Sequence, residues 1–288
     1  MNPFRSSFQF TQSKLQDYVE CARRFEARYL ERLKWPAVET EPIAERERHM
    51  REGAAFHHLV QQHLAGVPVE ALSRTASSDP LRRWWDAYLR SDFIKTLPIQ
   101  HSVETELSVP MQTHQPRGVH RLLAKFDLLA IEPGRAVIVD WKTGERRPRR
   151  EDLARRMQTV VYPYVLALAG AAFNNGQPIL PEQIEMIYWF AEDPSNPERF
   201  PYSVAQFQRD GDLLNGLIAE ILTREDFPLT EDLYKCRYCV YRSLCRRGVE
   251  AGDFREQDAL NPGEGQEEGE GVNTDLNLDF DQIAEVEF

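Results

Sequence analysis

The chain has 288 residues, of which 42% are hydrophobic, and a formal charge of −11. Its length suits one large domain or a domain with appendages, and its composition is that of a soluble globular protein. The opening stretch, MNPFRSSFQF, lacks the continuous apolar core of a secretory signal, and the longest apolar run, Val160 to Phe173, is too short to span a bilayer and contains Pro163. A cytoplasmic protein is therefore expected. Residues 251–288 hold twelve acids and one Arg, which leaves 34 acids and 34 Lys/Arg in residues 1–250. Basic side chains cluster at Arg146–Arg150, at Arg155 and Arg156, and at Arg242–Arg247. A neutral body with local basic patches is compatible with nucleic-acid binding, and also with solvated helix faces.

Residues 11–33 carry apolar side chains at helical spacing (Leu15, Tyr18, Val19, Ala22, Phe25, Tyr29, Leu33), with Ser13 and Gln16 spaced as a capping box. A second helix is expected over Ala54–Leu64, entered through Gly53, and a third around Trp84, Trp85, Tyr88 and Leu89. The period then changes to two. Val103, Thr105, Leu107 and Val109 alternate with Glu104, Glu106 and Ser108, which predicts a half-buried strand whose two glutamates share a face, read as solvated residues in preference to a further ligand. Arg121–Ile131 and Arg135–Lys142 read as two more strands joined by a turn at Glu132-Pro-Gly-Arg135. A helix over Glu151–Phe173, a strand over Ile184–Ala191 and a helix over Val204–Thr223 complete an α/β order with a mixed sheet.

Asp127 and Asp140 each end an apolar run, and the hairpin between them can bring the two carboxylates together. Two such carboxylates repel unless a cation sits between them, and Mg²⁺ or Mn²⁺ is the natural occupant of an oxygen-rich site. Lys142 lies two residues beyond Asp140 and so faces the same side of the strand. From spacing alone, the Asp140–Lys142 pair reads equally well as a salt bridge at a strand end.

Five elements occur in a telling order: Gly53-x-x-x-His57, Asp127, Asp140-x-Lys142 followed by Thr143-Gly144, and Gln158-x-x-x-Tyr162. In this the chain resembles the RecB-like branch of the PD-(D/E)XK nucleases over roughly residues 10–248. The resemblance implies a restriction-endonuclease-like core, with a mixed sheet of four to five strands flanked by helices. It implies metal-dependent hydrolysis of DNA phosphodiesters, with Mg²⁺ or Mn²⁺ held by His57, Asp127, Asp140 and the Val139 carbonyl. By the same resemblance Lys142 positions the attacking water, and Gln158 and Tyr162 contact the nucleic acid or steady the site. Arg146, Arg147, Arg149 and Arg150 would then hold flanking DNA by charge, without reading sequence.

The four cysteines are Cys21 and the C-x2-C-x5-C group Cys236, Cys239, Cys245. In a cytoplasmic protein two disulfides are a poor explanation, and spacing leaves zinc and an iron–sulfur cluster both open. The layout of one Cys before the nuclease core and three after it is similar to that of AddB-type and CRISPR-associated RecB-like nucleases. That similarity implies a [4Fe–4S] cluster stapling residues 233–248 to the N-terminal helix, in preference to zinc. Residues 1–250 would form the nuclease domain, and 251–288 an acidic tail without a core of its own. Within the tail, residues 274–288 interleave acids with Leu276, Leu278, Phe280, Ile283, Val286 and Phe288, a pattern suited to docking on a partner. No GxxxxGK[ST] phosphate loop occurs, so unwinding would fall to a helicase or repair-complex partner. The expected substrate is single-stranded DNA or DNA ends; the alternative reading is a non-catalytic DNA-binding or scaffold subunit.

Overall fold

The computed structural model describes residues 8–34, 43–111, 120–248 and 252, and side chains from Arg48 onward in the second of these segments. In chain order the elements are β1 (Gln9–Thr11), α1 (Gln12–Glu20), α2 (Ala22–Phe25), α3 (Ile43–Leu64), α4 (Val69–Thr75) and α5 (Asp79–Arg90). Then come β2 (Gln100–Pro110), β3 (Arg121–Glu132), β4 (Arg135–Lys142), α6 (Arg150–Ala154), α7 (Met157–Ala169), β5 (Ile184–Phe190), β6 (Glu198–Pro201), α8 (Val204–Thr223) and α9 (Leu233–Cys236). The acidic tail and its proposed docking segment lie outside the described residues.

The sheet is mixed and has six strands, against the four or five expected, because β1 and β6 are too short to show a period of their own. Alternation along β4 and β5 separates its two faces. On one, Ala136, Ile138, Ile184, Met186 and Tyr188 pack with side chains of α1, α7 and α8 such as Leu15, Val161 and Leu214. On the other, Val137, Val139, Trp141, Ile187 and Trp189 pack with Phe56, Val60, Trp84, Trp85 and Tyr88 of α3 and α5. Helices therefore cover both faces, as a largely apolar central sheet requires.

Several local expectations are corrected. The helix expected over residues 11–33 is interrupted at Cys21, whose backbone is extended, and a π-helical turn at Glu26–Leu30 follows α2. Its N-cap is Thr11, whose hydroxyl accepts from the Lys14 amide, so Ser13 lies inside the helix and forms no capping box. Gly53 lies within α3 rather than at its entrance. The helix expected over Glu151–Phe173 is divided into α6, α7 and a final 3-10 turn. Within it Pro163 does not break α7, which packs against α1, α8, β2, β3 and β5. Burial on so many sides outweighs the cost, about 3 kcal/mol, of an interior proline.

Trp189 is fully buried, stacked 6.0 Å from Phe56 and edge-on to Trp141 at 5.6 Å. Replacing it with Ala removes the largest side chain from the centre of this layer. We expect Trp189→Ala to lose about 3–5 kcal/mol of stability, read as a lower midpoint in urea unfolding.

Candidate active site

The site arises where the sheet divides. β2 pairs along β3 from Pro110↔Arg121 to Gln100↔Ile131 and so occupies one edge. The other edge is shared: β1 pairs with Arg121–Leu123 and β4 with Leu128–Glu132. Residues 124–127 of β3 have no strand partner on that side. The β3–β4 turn at Pro133-Gly134 is tight, with Gly134 at φ +82°. The ladder it starts ends at Leu128↔Val139, and β4 continues to Lys142 paired with β5 alone. Continued alternation would have sent the Trp141 amide to β3 backbone. Instead that amide donates to the Asp127 carboxylate at 2.9 Å.

At the same level β2 and β3 both exchange faces. Leu107 and Val109 pack with one layer and Val103 with the other; Leu122, Ala124 and Phe126 belong to the first layer and Leu128 to the second. The exchange falls at Glu104, which lies opposite Asp127 and has φ +47°. Positive φ in a residue other than glycine is uncommon and concentrates at functional sites. The kink turns Glu104 into the same space as Asp127.

Into this gap α3 delivers His57 and α7 delivers Gln158 and Tyr162. His57 Nδ1 is 3.4 Å from Asp127 Oδ2. Its Nε2 is buried without a hydrogen-bond partner among the described residues. One ligand atom each from His57, Glu104 and Asp127 lie within 4.8 Å of one another. Asp140 and Lys142 are both buried, with Lys142 Nζ 2.7 Å from Asp140 Oδ2. Gln158 joins the pair from above: its amide donates to Asp140 Oδ1, and its carbonyl accepts from Lys142 Nζ at 3.2 Å. Tyr162, one turn further along α7, packs edge-on against Phe126 at 5.1 Å. Together with Gln12, His58, Gln61 and Lys125, these side chains line an open cleft of about 790 Å³.

Two carboxylates in one place titrate apart. Burial raises the Asp140 carboxyl, to about 6, and the Asp127 charge adds to this against the opposing pull of Lys142. Burial also opposes ionisation of Asp127, but the His57 imidazole, the Trp141 amide and Lys142 together hold it below the usual carboxylate range. His57 is penalised by burial, yet Asp127 raises it overall. One carboxylate is thus held charged and the second made reluctant, a conflict that a cation between them would relieve.

Most of the expected residues converge, and three results depart from expectation. Glu104, read as a solvated strand residue, lines the cleft and also pairs with Lys125 at 2.6 Å. Period-two alternation gives no sign of a local face exchange, so the sequence carries no usable signal for it. Val139 does not line the cleft: it lies between Leu128 of β3 and Ile187 of β5, which commits its backbone to the sheet. The arginine loop is largely occupied with protein contacts. Arg147 pairs with Asp193 and Glu198 and stands over the Phe190 ring. Arg150 pairs with Glu198 and covers Phe200, and Arg149 pairs with Asp152. Arg146 is exposed.

The four cysteines converge at a second place. The break at Cys21 turns that residue toward the C-terminal group, and all four line one small pocket with Arg24, Tyr241 and Arg242. None is in a disulfide. Burial pushes the Cys236, Cys239 and Cys245 thiols up, and the Cys21 sulfur adds to the effect on each.

A carboxylate pair with an adjacent buried lysine on a divided α/β sheet defines a class of phosphodiester hydrolases that work with divalent metal ions. This chain belongs to the PD-(D/E)XK nuclease superfamily, whose family model matches residues 9–246. No curated protein matches it at a significant level. Among solved structures it is similar to SSO0001, with 14% identity and a TM-score of 0.42, over 82% of this chain and 85% of that one. It is also similar to a protein from Eubacterium rectale described as a candidate exonuclease, with 10% identity and a TM-score of 0.44, over 77% and 81%. No helix among the described residues is long and apolar enough to cross a membrane.

Were Asp140 to serve as a metal ligand, a divalent cation would have to displace the proton that its carboxyl holds below about pH 6. Affinity for Mn²⁺ should therefore fall about tenfold for each pH unit below that value, and His57, whose proton must also leave, steepens the fall. Calorimetric titration with Mn²⁺ between pH 5 and 8 checks this. Asp140→Asn should remove most of the affinity and flatten its pH dependence.

Proposed function

We propose that this chain is a metal-dependent deoxyribonuclease that cuts single-stranded DNA or DNA ends. The observation that carries the reading is the meeting of His57, Glu104, Asp127, Asp140 and Lys142 at the point where β4 leaves β3. The donor set is imidazole plus carboxylate oxygens, which suits Mg²⁺ or Mn²⁺. His57, Glu104 and Asp127 would hold the ion, with Asp140 completing the set. Once bound, such an ion supplies an activated water and neutralises phosphate oxygens.

The rest of the chemistry belongs to the side chains. Gln158 fixes Asp140 and Lys142 relative to each other, so the ammonium is presented at one place. From there Lys142 can orient the attacking water and offset charge that develops on the phosphoryl group. Tyr162, Gln12, His58 and Gln61 form walls of the cleft against which a strand can lie. Of the arginine loop, Arg146 remains suited to phosphate contact, while Arg147 and Arg150 hold the end of β4 against β6. A scaffold subunit without turnover would have no need of this trio of Asp127, Asp140 and Lys142. Lacking a nucleotide-binding loop, the enzyme would receive unwound DNA from a helicase or repair-complex partner, with residues 274–288 as the docking segment.

The cysteine pocket supports a [4Fe–4S] cluster as a structural staple. All four cysteines line one pocket, and the layout of one Cys before the core and three after it favours the cluster over a single ion. Closing a loop of about 215 residues between Cys21 and Cys236 would strongly restrict the unfolded chain.

The decisive experiment is cleavage of end-labelled single- and double-stranded DNA with Mg²⁺ or Mn²⁺. Wild-type protein should cut, and Asp140→Ala and Lys142→Ala should each lose at least about a thousandfold in rate. A folded wild type that cuts nothing with either metal rejects the nuclease reading. Separately, protein purified without oxygen should be brown, and Cys21→Ser and Cys239→Ser should lose the colour and melt at lower temperature. Colourless wild-type protein containing zinc would reject the cluster.

A further inference from the structure

Beyond the cleft, the cysteine module combines an exposed aromatic ring with exposed positive charge. Tyr234 has 44% of its surface exposed. Its ring stands 5.4 Å from that of Tyr238, and the two hydroxyls are 3.1 Å apart. The Arg237 guanidinium lies over both rings, 5.6 Å from the Tyr234 centroid and 5.9 Å from that of Tyr238. Arg237 and Arg246 are exposed, and neither pairs with a carboxylate among the described residues. The Tyr241 hydroxyl donates to the Leu33 carbonyl at 3.0 Å, which brings the exposed Arg32 to the same module. The module packs internally through Cys236 and Tyr241, both buried, while Tyr238 is half-buried with its ring against Gly252 and Tyr234 stands outside.

We propose that this face is a stacking platform for single-stranded nucleic acid. Every base offers a π-face, so tyrosines beside a guanidinium bind a strand without reading its sequence, while the cations take its phosphates. A cation lies across the rings, and Arg32 and Arg246 are exposed on the same module, the combination that a strand's bases and phosphates call for. Gln12, the first residue of α1, lines the cleft, and Cys21, which follows its last, lines the cysteine pocket, so one short helix links the two. The proposal deepens the nuclease reading by naming where the strand continues beyond the scissile bond.

The test is fluorescence anisotropy of a labelled oligothymidylate of about 20 nucleotides, using the full chain in EDTA so that no hydrolysis occurs. Tyr234→Ala with Tyr238→Ala should weaken binding about tenfold or more per ring. Arg237→Glu should weaken it too, and Tyr234→Phe should retain it, because stacking does not need the hydroxyl. Unchanged affinity in both the double variant and Arg237→Glu overturns the proposal. So does an effect of the double variant that vanishes when residues 253–288 are removed, which would assign the face to the chain's own acidic segment. Because binding is read without metal, a chain that binds DNA through these rings but never cuts it counts against the nuclease reading alone.

Discussion

The structure turns on one missing stretch of sheet. For four residues, 124–127, one edge of β3 has neither β1 nor β4 beside it. Unpaired backbone inside a protein is costly, and the chain meets that cost with a side chain: Asp127 accepts the Trp141 amide that the ladder leaves behind. That bond has a second effect. It fixes a carboxylate at the fork between two strands, where helices from opposite faces of the sheet can both reach it. His57 comes from the α3 layer and Gln158 from α7, and without the fork the sheet would separate them.

Placing charge in such a fork has an electrostatic consequence that distinguishes the two aspartates. Asp127 has an imidazole and an amide beside it and stays ionised readily. Asp140 is more deeply buried, and burial dominates even though Lys142 is in contact. The local arrangement is therefore poor for metal-free stability and good for holding a cation, a usual compromise at functional sites. The aromatic layer of Phe56, Trp84, Trp85, Trp141 and Trp189 lies directly behind the fork. Its burial supplies the stability that the charged cluster does not.

What the sequence discloses follows from which interactions are local. The β3–β4 hairpin, its turn, and the Asp140-x-Lys142 pair depend on period and neighbour spacing, and each is legible; so is α8, found with the expected bounds. Gln158 and Tyr162 follow from helical spacing. Glu104 was not legible, because its approach to the cleft needs a kink and a register that neighbours do not encode. The break at Cys21 was hidden for a related reason: residues 12–30 keep an apolar helical pattern on both sides of it, while the extended Cys21 backbone answers to a pocket whose walls, Arg24 apart, lie over 200 residues away. Arginine-rich composition at 146–150 suggested free charge, but the acids that engage Arg147 and Arg150 come from Asp193 and Glu198, beyond the next strand.

The same short helix connects the two polar centres. α1 starts at the cleft with Gln12 and ends at Cys21, and its packing against α7 ties it to the element that carries Gln158. Gln16 reinforces this by accepting from the Met157 amide at 3.0 Å, at the first turn of α7. The inner side of α1 is further fixed by Asp17, buried between Arg24 and Arg28 and bonded by the Tyr29 hydroxyl. A buried ion pair of this kind adds little net stability but strongly penalises misplacement, since a partner left alone would be a buried unpaired charge. The cysteine module and the catalytic cleft are therefore not independent units. Whatever holds Cys21 in place also sets the pose of α1, and through Gln16 and α7 the position of the amide that aligns Asp140 with Lys142.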